Sequence, residues 1–161
     1  MQIRNMTNCI ATTYELQVEQ WQYKANVSCR ILYKEGLGSC IGIAVGYGNK
    51  LFLCHFPNAS YGGAIDDFFA ELESNIPDTN RLFIRPVVTG GQLGRETTDM
   101  GQDRDYVLDK LISLGFGKPH LCWCGPKDFC QDLSLDTTVA EIKVTTYPKA
   151  GSTLTENAFS F

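Results

Sequence analysis

A cysteine that follows a glycine-rich segment is the residue of this chain best placed by its sequence to act as a nucleophile. Residues 36–40 read GLGSC, and two apolar strand candidates, 40–45 and 50–55, flank the turn-forming sequence GYGN. A hairpin centred on Tyr47 and Gly48 pairs Cys40 with His55, unless a bulge shifts the register. Directly opposed residues share one sheet face, with Cβ atoms roughly 4.5–5.5 Å apart. The sequence therefore predicts a thiol beside an imidazole.

An imidazole beside a thiol supplies the base that cysteine needs for nucleophilic chemistry. A free thiol has a pKa of about 8.5 and is mostly protonated near neutral pH, whereas the thiolate is the reactive form. We expect His55 to take the proton from Cys40, and the backbone N–H groups of Gly38 and Ser39 to bind a developing oxyanion. The alternative is that Cys40 is a small buried apolar residue and His55 an ordinary strand residue.

These residues resemble the CheD family of chemoreceptor glutamine deamidases, in which a Leu-Gly-Ser-Cys segment begins a strand and a His-Phe strand follows in a hairpin. The order of Pro57, a strand-like segment at 82–88, the Gly90-Gly91 pair and a helix near 101–114 is also similar. The catalytic domains of cytotoxic necrotizing factor-type toxins, which also deamidate glutamine, are similar in their Cys and His arrangement. The resemblance covers roughly residues 30–115 and implies Cys40 and His55 as catalytic residues.

The third member of the site is where this chain departs from the family. The family has a threonine about six residues before the nucleophile, and this chain has Lys34 there. An ammonium cannot accept a hydrogen bond from an imidazole, so we expect a backbone carbonyl of Tyr33 or Lys34 to orient His55, as a main-chain acceptor does in some related toxins. We expect residues 90–92 (Gly90, Gly91 and Gln92) to line a substrate groove.

The resemblance implies a hydrolase of carboxamide C–N bonds: a bacterial, cysteine-dependent protein-glutamine deamidase that forms a thioester and needs no cofactor. Its partner is a protein with an exposed glutamine, either a chemoreceptor in chemotaxis or a signalling protein of a host that receives the chain as a toxin or effector. A transglutaminase, a cysteine peptidase and a non-catalytic module of the same fold that binds a signalling protein stay open as alternatives.

Composition narrows the class of partner. The chain has 161 residues, a net charge of −4 and a pI of about 5.1, so no basic face for nucleic acid or a membrane surface is available from composition. No apolar run approaches the roughly 20 residues of a membrane-spanning helix. Residues 1–5 lack the apolar stretch of a secretory signal. We expect a cytoplasmic protein, or an effector secreted into a host cell by a route without a cleaved signal.

The seven cysteines are an odd number, which with no signal peptide favours reduced thiols. Residues 122–124 (CWC), with Cys130 and His120, are the one group that suggests a metal site. Zinc ligands usually come as pairs spaced by two to four residues with a second pair elsewhere. We therefore interpret these cysteines as buried strand residues and expect no metal.

Apolar periodicity predicts an α+β fold. Strand candidates are residues 12–23, 26–33, the hairpin, 81–88, 120–124 and 139–147. Ile65, Phe68, Phe69 and Leu72 form a helical stripe, and residues 107, 108, 111 and 112 (Val, Leu, Leu, Ile) form another that ends before Gly115. We predict mixed sheets layered as a β-sandwich, with about two helices covering one face, as in CheD. Residues 1–150 are expected to form a single deamidase-like domain and residues 151–161 a flexible C-terminal tail.

Overall fold

The computed structural model describes residues 15–57, 64–92, 98–125, 128–151 and 154–161. Residues 1–5 and Cys9, on which part of the sequence argument rests, lie outside these ranges. Within them the chain forms ten strands and three helices. The strands are β1 (Glu15–Gln17), β2 (Gln22–Val27), β3 (Ile31–Leu37), β4 (Ile41–Tyr47), β5 (Lys50–Phe56), β6 (Val87–Gly90), β7 (His120–Trp123), β8 (Phe129–Asp136), β9 (Glu141–Pro148) and β10 (Thr155–Ser160). The helices are α1 (Ala64–Asn75), α2 (Asp78–Arg81) and α3 (Thr98–Ser113).

The strands form two mixed five-stranded sheets. Sheet A has the order β1-β3-β8-β9-β10 and sheet B the order β2-β5-β4-β6-β7. One core, the inter-sheet core, lies between the sheets, and a second core, the helix-side core, lies between sheet B and helices α1 and α3. This arrangement confirms the predicted α+β layered fold. No helix in the described ranges is long and apolar enough to cross a membrane.

The two predicted helical stripes cover sheet B. Ile65, Phe68, Phe69 and Leu72 of α1 are all buried in the helix-side core, as expected. On α3, Val107 and Leu111 are buried in the same core, but Ile112 is 64% exposed and its predicted burial is wrong. A single helix face meets sheet B, and the residue after Leu111 is rotated away from that face. The chain leaves α3 through Gly115, whose φ of +84° suits glycine.

The strand predicted at residues 81–88 is much shorter in the structure. Only Val87–Gly90 forms β6, while Arg81 ends the short helix α2. The Arg81 guanidinium is buried and donates hydrogen bonds to the carbonyls of Glu73, Ile76 and Leu114. These carbonyls lie at the C-terminal ends of α1 and α3, where helices leave such groups unpaired. Arg81 therefore ties the ends of two helices together instead of joining a sheet.

The candidate strands at 12–23 and 26–33 are each divided in the structure. In the part that is described, β1 belongs to sheet A and β2 to sheet B, and the chain crosses between the sheets through Trp21, which has a φ of +67°. A left-handed residue of this kind interrupts a strand ladder. The second candidate is divided at residues 28–30, between β2 and β3.

The prediction of a flexible tail at 151–161 is wrong for the residues described there. Thr155–Ser160 form β10, which pairs antiparallel with β9 along its whole length. Phe159 and Phe161 pack against the inter-sheet core. The Phe161 ring lies over Gly46 so closely that a Cβ there would overlap it. The sequence did not predict this strand because most residues of β10 are polar, and an edge strand has a largely exposed surface.

The β4–β5 hairpin has a different register from the one predicted. Its turn is centred on Gly48 and Asn49, with Gly48 at φ +59°, so Tyr47 pairs with Lys50. The turn therefore lies one residue further along the chain than predicted, and each residue of β4 pairs with a residue of β5 two positions later than predicted. Gly42, not Cys40, lies directly opposite His55. A shift of two residues leaves each side chain on its predicted face, because the side-chain period of a strand is two.

Candidate functional site

Cys40 lies in the irregular segment between β3 and β4, and backbone hydrogen bonds hold this segment in place. The Gly91 N–H donates to the Cys40 carbonyl at 3.0 Å, and the Gln92 N–H donates to the Gly38 carbonyl at 3.3 Å. A Cβ on Gly90, whose φ is +78°, would overlap the Cys40 carbonyl oxygen. Residues 90–92, predicted to line a groove, thus position the backbone of the cysteine.

The thiol of Cys40 is half-buried at the edge of the inter-sheet core. The Gln20 side-chain amide approaches its sulfur at 3.9 Å. Burial raises the pKa of the Cys40 thiol, while the Lys34 ammonium, the backbone N–H of Cys40, the Ser39 hydroxyl and the Gln20 amide act in the opposite direction. The cysteine is protonated at rest, and its surroundings already contain groups that favour the thiolate.

His55 lies on the same inner face of sheet B as Cys40. Its partner Gly42 faces Leu37, Leu133 and Thr89, so this row of side chains points into the space between the sheets. Cys40 lies just before the first β4–β5 pair, Ile41 with Phe56, and packs against the same inter-sheet core. Cys40 and His55 therefore lie on the same side of sheet B, as predicted. The prediction that they lie directly opposite each other is wrong.

The His55 imidazole is only 4% exposed, and neither ring nitrogen has a hydrogen-bond partner in the structure. Burial, with a smaller effect of the Lys34 ammonium, lowers the pKa of His55 from 6.5 to about 4. The imidazole is therefore neutral at physiological pH, with a lone pair free to accept a proton. It does not hydrogen bond the Cys40 sulfur in this arrangement.

The carbonyl that was expected to orient His55 is not in place. The Tyr33 carbonyl instead accepts a hydrogen bond from Val18 N–H at 2.9 Å. The absence of any partner for the imidazole also excludes the Lys34 carbonyl in this structure. Strand β3 instead directs the Lys34 side chain towards the site. Lys34 pairs with Leu133 of the inter-sheet core and is 8% exposed.

A buried glutamine supports the segment that holds Cys40 and was missed from the sequence. The Gln131 carbonyl oxygen accepts hydrogen bonds from the Thr89 hydroxyl at 2.5 Å and from Gly90 N–H at 2.8 Å. Its amide nitrogen donates to Thr146 at 3.1 Å. Gln131 therefore links sheet A to the β6 end of sheet B. Its alternation with Leu133 and Leu135, both core residues, was a signal that it points inward.

The cysteines near β7 show no arrangement for a metal. Among the side chains that the structure describes, no group of three His, Cys, Asp or Glu residues is placed to bind a metal ion. Cys122 packs against the inter-sheet core, and the buried Cys124 thiol donates a hydrogen bond to the Phe129 carbonyl. Burial, assisted by Cys130, raises the pKa of Cys124 to about 11. These contacts are those of structural cysteines.

A cleft of about 380 Å³ runs along β1, β3 and β8. Tyr33, Lys34, Glu35 and Asp132 contribute to its wall, whereas Cys40 and His55 do not. It borders the candidate site through Lys34 but is not a pocket for the thiol.

Comparison of the sequence with protein-family models and with curated proteins gave no match. The resemblance to the CheD family therefore stays a prediction that rests on the residues named above.

Proposed function

We propose that this protein is a cysteine-dependent hydrolase that converts a glutamine side chain of another protein to glutamate. The observation that carries the proposal is the position of the half-buried Cys40 thiol on the same inner sheet face as the buried His55 imidazole, which has no hydrogen-bond partner. An unpaired polar group in a core costs folding free energy, commonly about 1–3 kcal/mol. Such a cost is typical of residues kept for function.

The first half of the reaction forms a thioester. The Cys40 sulfur attacks the carboxamide carbon while its proton passes to the neutral imidazole of His55. The negative oxygen of the tetrahedral intermediate accepts hydrogen bonds from backbone N–H groups of Gly38 and Ser39. The C–N bond then breaks, and the His55 imidazolium returns the proton to the departing nitrogen, so that ammonia leaves.

The second half of the reaction hydrolyses the thioester. His55, neutral again, takes a proton from a water molecule as the water oxygen attacks the thioester carbon. The C–S bond breaks, the proton returns to sulfur, and the acid is released. The net change is one carboxamide and one water converted to one carboxylic acid and one ammonia. The low pKa of His55, about 4, makes its imidazolium a strong acid towards the departing nitrogen and its neutral imidazole a weak base towards the thiol.

The proposed substrate is a protein and not free glutamine. A free amino acid carries two charges, which an enzyme normally matches with fixed ionic partners. Around Cys40 the structure offers backbone groups, the Gln20 amide and the Lys34 ammonium, which would match only one of those two charges. Trp21, next to Gln20 in the chain, is 45% exposed, and amphipathic aromatic side chains of this kind suit protein partners. A chemoreceptor is the first candidate from the CheD resemblance, and a host signalling protein is the second.

The proposal places the reaction in a reducing compartment, in bacterial or host cytosol. All six cysteines in the described ranges are free thiols, and the reduced thiol is the nucleophile.

The test is incubation of the protein with the purified cytoplasmic helical domain of a chemoreceptor and, separately, with unfolded casein as an acceptor of unrelated sequence. Ammonia release and the mass of tryptic peptides are measured for the wild-type protein and for Cys40→Ser. We expect equal amounts of ammonia and new glutamate with the wild type only, and no effect of millimolar free glutamine. Ammonia from free glutamine alone would contradict the choice of substrate.

A non-catalytic module that binds a signalling protein is the second candidate. It is favoured by the lack of a hydrogen bond between the imidazole and the thiol, and by the use of the Tyr33 carbonyl elsewhere. A protein that binds the chemoreceptor domain equally well as wild type and as Cys40→Ser, with no ammonia from either, would be this module. Incorporation of a labelled primary amine into casein would instead indicate transglutamination.

A further inference from the structure

Lys34 places a positive charge at the candidate site. It lies directly opposite Leu133, whose side chain packs over Gly42, and Leu37 of the same strand packs over Gly42 as well. Gly42 is the residue paired with His55 and follows Cys40 by two positions. Lys34 therefore points from sheet A towards the thiol and the imidazole of sheet B.

The structure shows no carboxylate paired with Lys34 among the described residues. Lys34 as a whole residue is 8% exposed. The carboxylates that line the cleft are those of Glu15, Glu35 and Asp132, and that of Asp132 accepts hydrogen bonds from Gly36 N–H and the Tyr147 hydroxyl. The Lys34 nitrogen is not one of the buried, unpaired polar atoms of the described side chains, so its methylene stem is buried while the charged end keeps contact with solvent, and no carboxylate of the described residues neutralises it.

We propose that the Lys34 ammonium, and not a His55 imidazolium, is the counter-charge of the Cys40 thiolate. The inference rests on the proposed function only in taking Cys40 as the nucleophile. Lys34 keeps its proton throughout, and His55 still carries the thiol proton to the departing nitrogen, so that its imidazolium exists only between these two transfers. In the reaction, Lys34 stabilises the negative charge on sulfur as it develops.

The electrostatics of the site support this assignment. The Lys34 ammonium lowers the pKa of Cys40, which favours the thiolate, and also lowers the pKa of His55, which disfavours the imidazolium. The same charge therefore works against a thiolate–imidazolium pair and for a thiolate–ammonium pair. Arg104, a second cation near this segment in the part of the chain that the structure describes, donates a hydrogen bond to the Gly91 carbonyl.

The test measures thiolate formation and needs no substrate. The rate of Cys40 alkylation by iodoacetamide is followed from pH 6 to 10 by peptide mass spectrometry, in wild type, Lys34→Met, Lys34→Arg and His55→Gln. Lys24→Met is the matched control, because Lys24 is half-buried on the inner face of sheet B, opposite Leu53. Circular dichroism and thermal unfolding establish that each variant is folded.

We expect Lys34→Met to move the midpoint of the alkylation profile to higher pH and to slow the reaction at pH 7 roughly tenfold. Lys34→Arg keeps the charge and should retain most of the wild-type rate, and Lys24→Met and His55→Gln should leave the midpoint in place. A rise of the midpoint in His55→Gln, with none in Lys34→Met, would overturn the assignment. Because alkylation is independent of turnover, a protein without deamidase activity that passes this test would refute the proposed function alone.

Discussion

Gly90 and Cys40 are in such close backbone contact that only a glycine fits at position 90. A Cβ there would overlap the Cys40 carbonyl oxygen, and the φ of +78° lies in the left-handed region that other residues avoid. The next N–H, that of Gly91, donates to the same carbonyl at 3.0 Å. The position of the proposed nucleophile thus depends on a glycine fifty residues further along the chain.

Gly90→Ala is therefore expected to displace the cysteine segment and to lower the free energy of unfolding by about 3 kcal/mol or more. Gly48→Ala is the matched control. Gly48 also has a positive φ, of +59°, but an added Cβ would meet nothing within 4 Å, so it should cost only on the order of 1–2 kcal/mol. Urea unfolding of both variants measures the difference. Equal losses of unfolding free energy would show that the contact between Gly90 and Cys40 does not contribute to stability.

The free energy of unfolding is expected to fall as the pH drops from 6.5 towards 4. Burial lowers the pKa of His55 from 6.5 to about 4, so between these values the unfolded chain binds a proton that the folded protein excludes. The stabilisation is complete above pH 6.5, and about 2–3 kcal/mol of it is lost by pH 4.

His55→Leu should remove most of this pH dependence and should be at least as stable as wild type at pH 5, since an unpaired buried polar group is replaced by an apolar one. His120→Gln is the control, because His120 stacks on Phe159 and its burial is only partial. Unfolding curves at pH 4.5, 5.5 and 7 decide the matter. An unchanged slope in His55→Leu would mean that another group titrates.

Cys40 is expected to be alkylated faster than Cys29 or Cys54 at neutral pH. Burial raises the pKa of Cys29 to about 11 and that of the fully buried Cys54 still further, whereas Lys34, Ser39 and Gln20 oppose this effect at Cys40. Peptide mapping after short treatment of the native protein with iodoacetamide measures the three rates. Equal labelling of Cys40 and Cys54 would argue strongly against a nucleophile at position 40.

Phe161→Ala is expected to lower the free energy of unfolding by about 1–3 kcal/mol, because its ring covers Gly46 at the edge of the inter-sheet core. Leu154→Ala should change it by less than about 0.5 kcal/mol, since Leu154 is 60% exposed. Thermal unfolding distinguishes the two. No effect of Phe161→Ala would restore the interpretation of residues 151–161 as a loose tail.

The sequence was sufficient to predict the fold class and the face on which the candidate residues lie. The stripe of Ile65, Phe68 and Leu72 specifies a helix on a sheet, and the period of two in β4 and β5 keeps Cys40 and His55 on one face even though the register was wrong. The register could not be predicted because it depends on which residue of the turn adopts a positive φ, and several residues of GYGN can do so.

The surroundings of the site were less predictable because they come from contacts between the sheets. Gln131 and Gly90 are forty-one residues apart in sequence, and their hydrogen bond exists only once sheet A packs on sheet B. The same packing turns the Lys34 side chain towards the thiol. Local patterns show that a residue points inward, but they do not show what it will face.

The most direct test of the account is capture of the thioester on Cys40. The protein is incubated with the chemoreceptor domain or with casein in the presence of hydroxylamine, which attacks thioesters in place of water. The account predicts a hydroxamate at the target glutamine with the wild-type protein, and at least a thousandfold less, on the order expected for loss of a nucleophile, with Cys40→Ser. Hydroxamate formation that persists in Cys40→Ser would contradict the account, as would release of ammonia by the wild type with no hydroxamate at any hydroxylamine concentration.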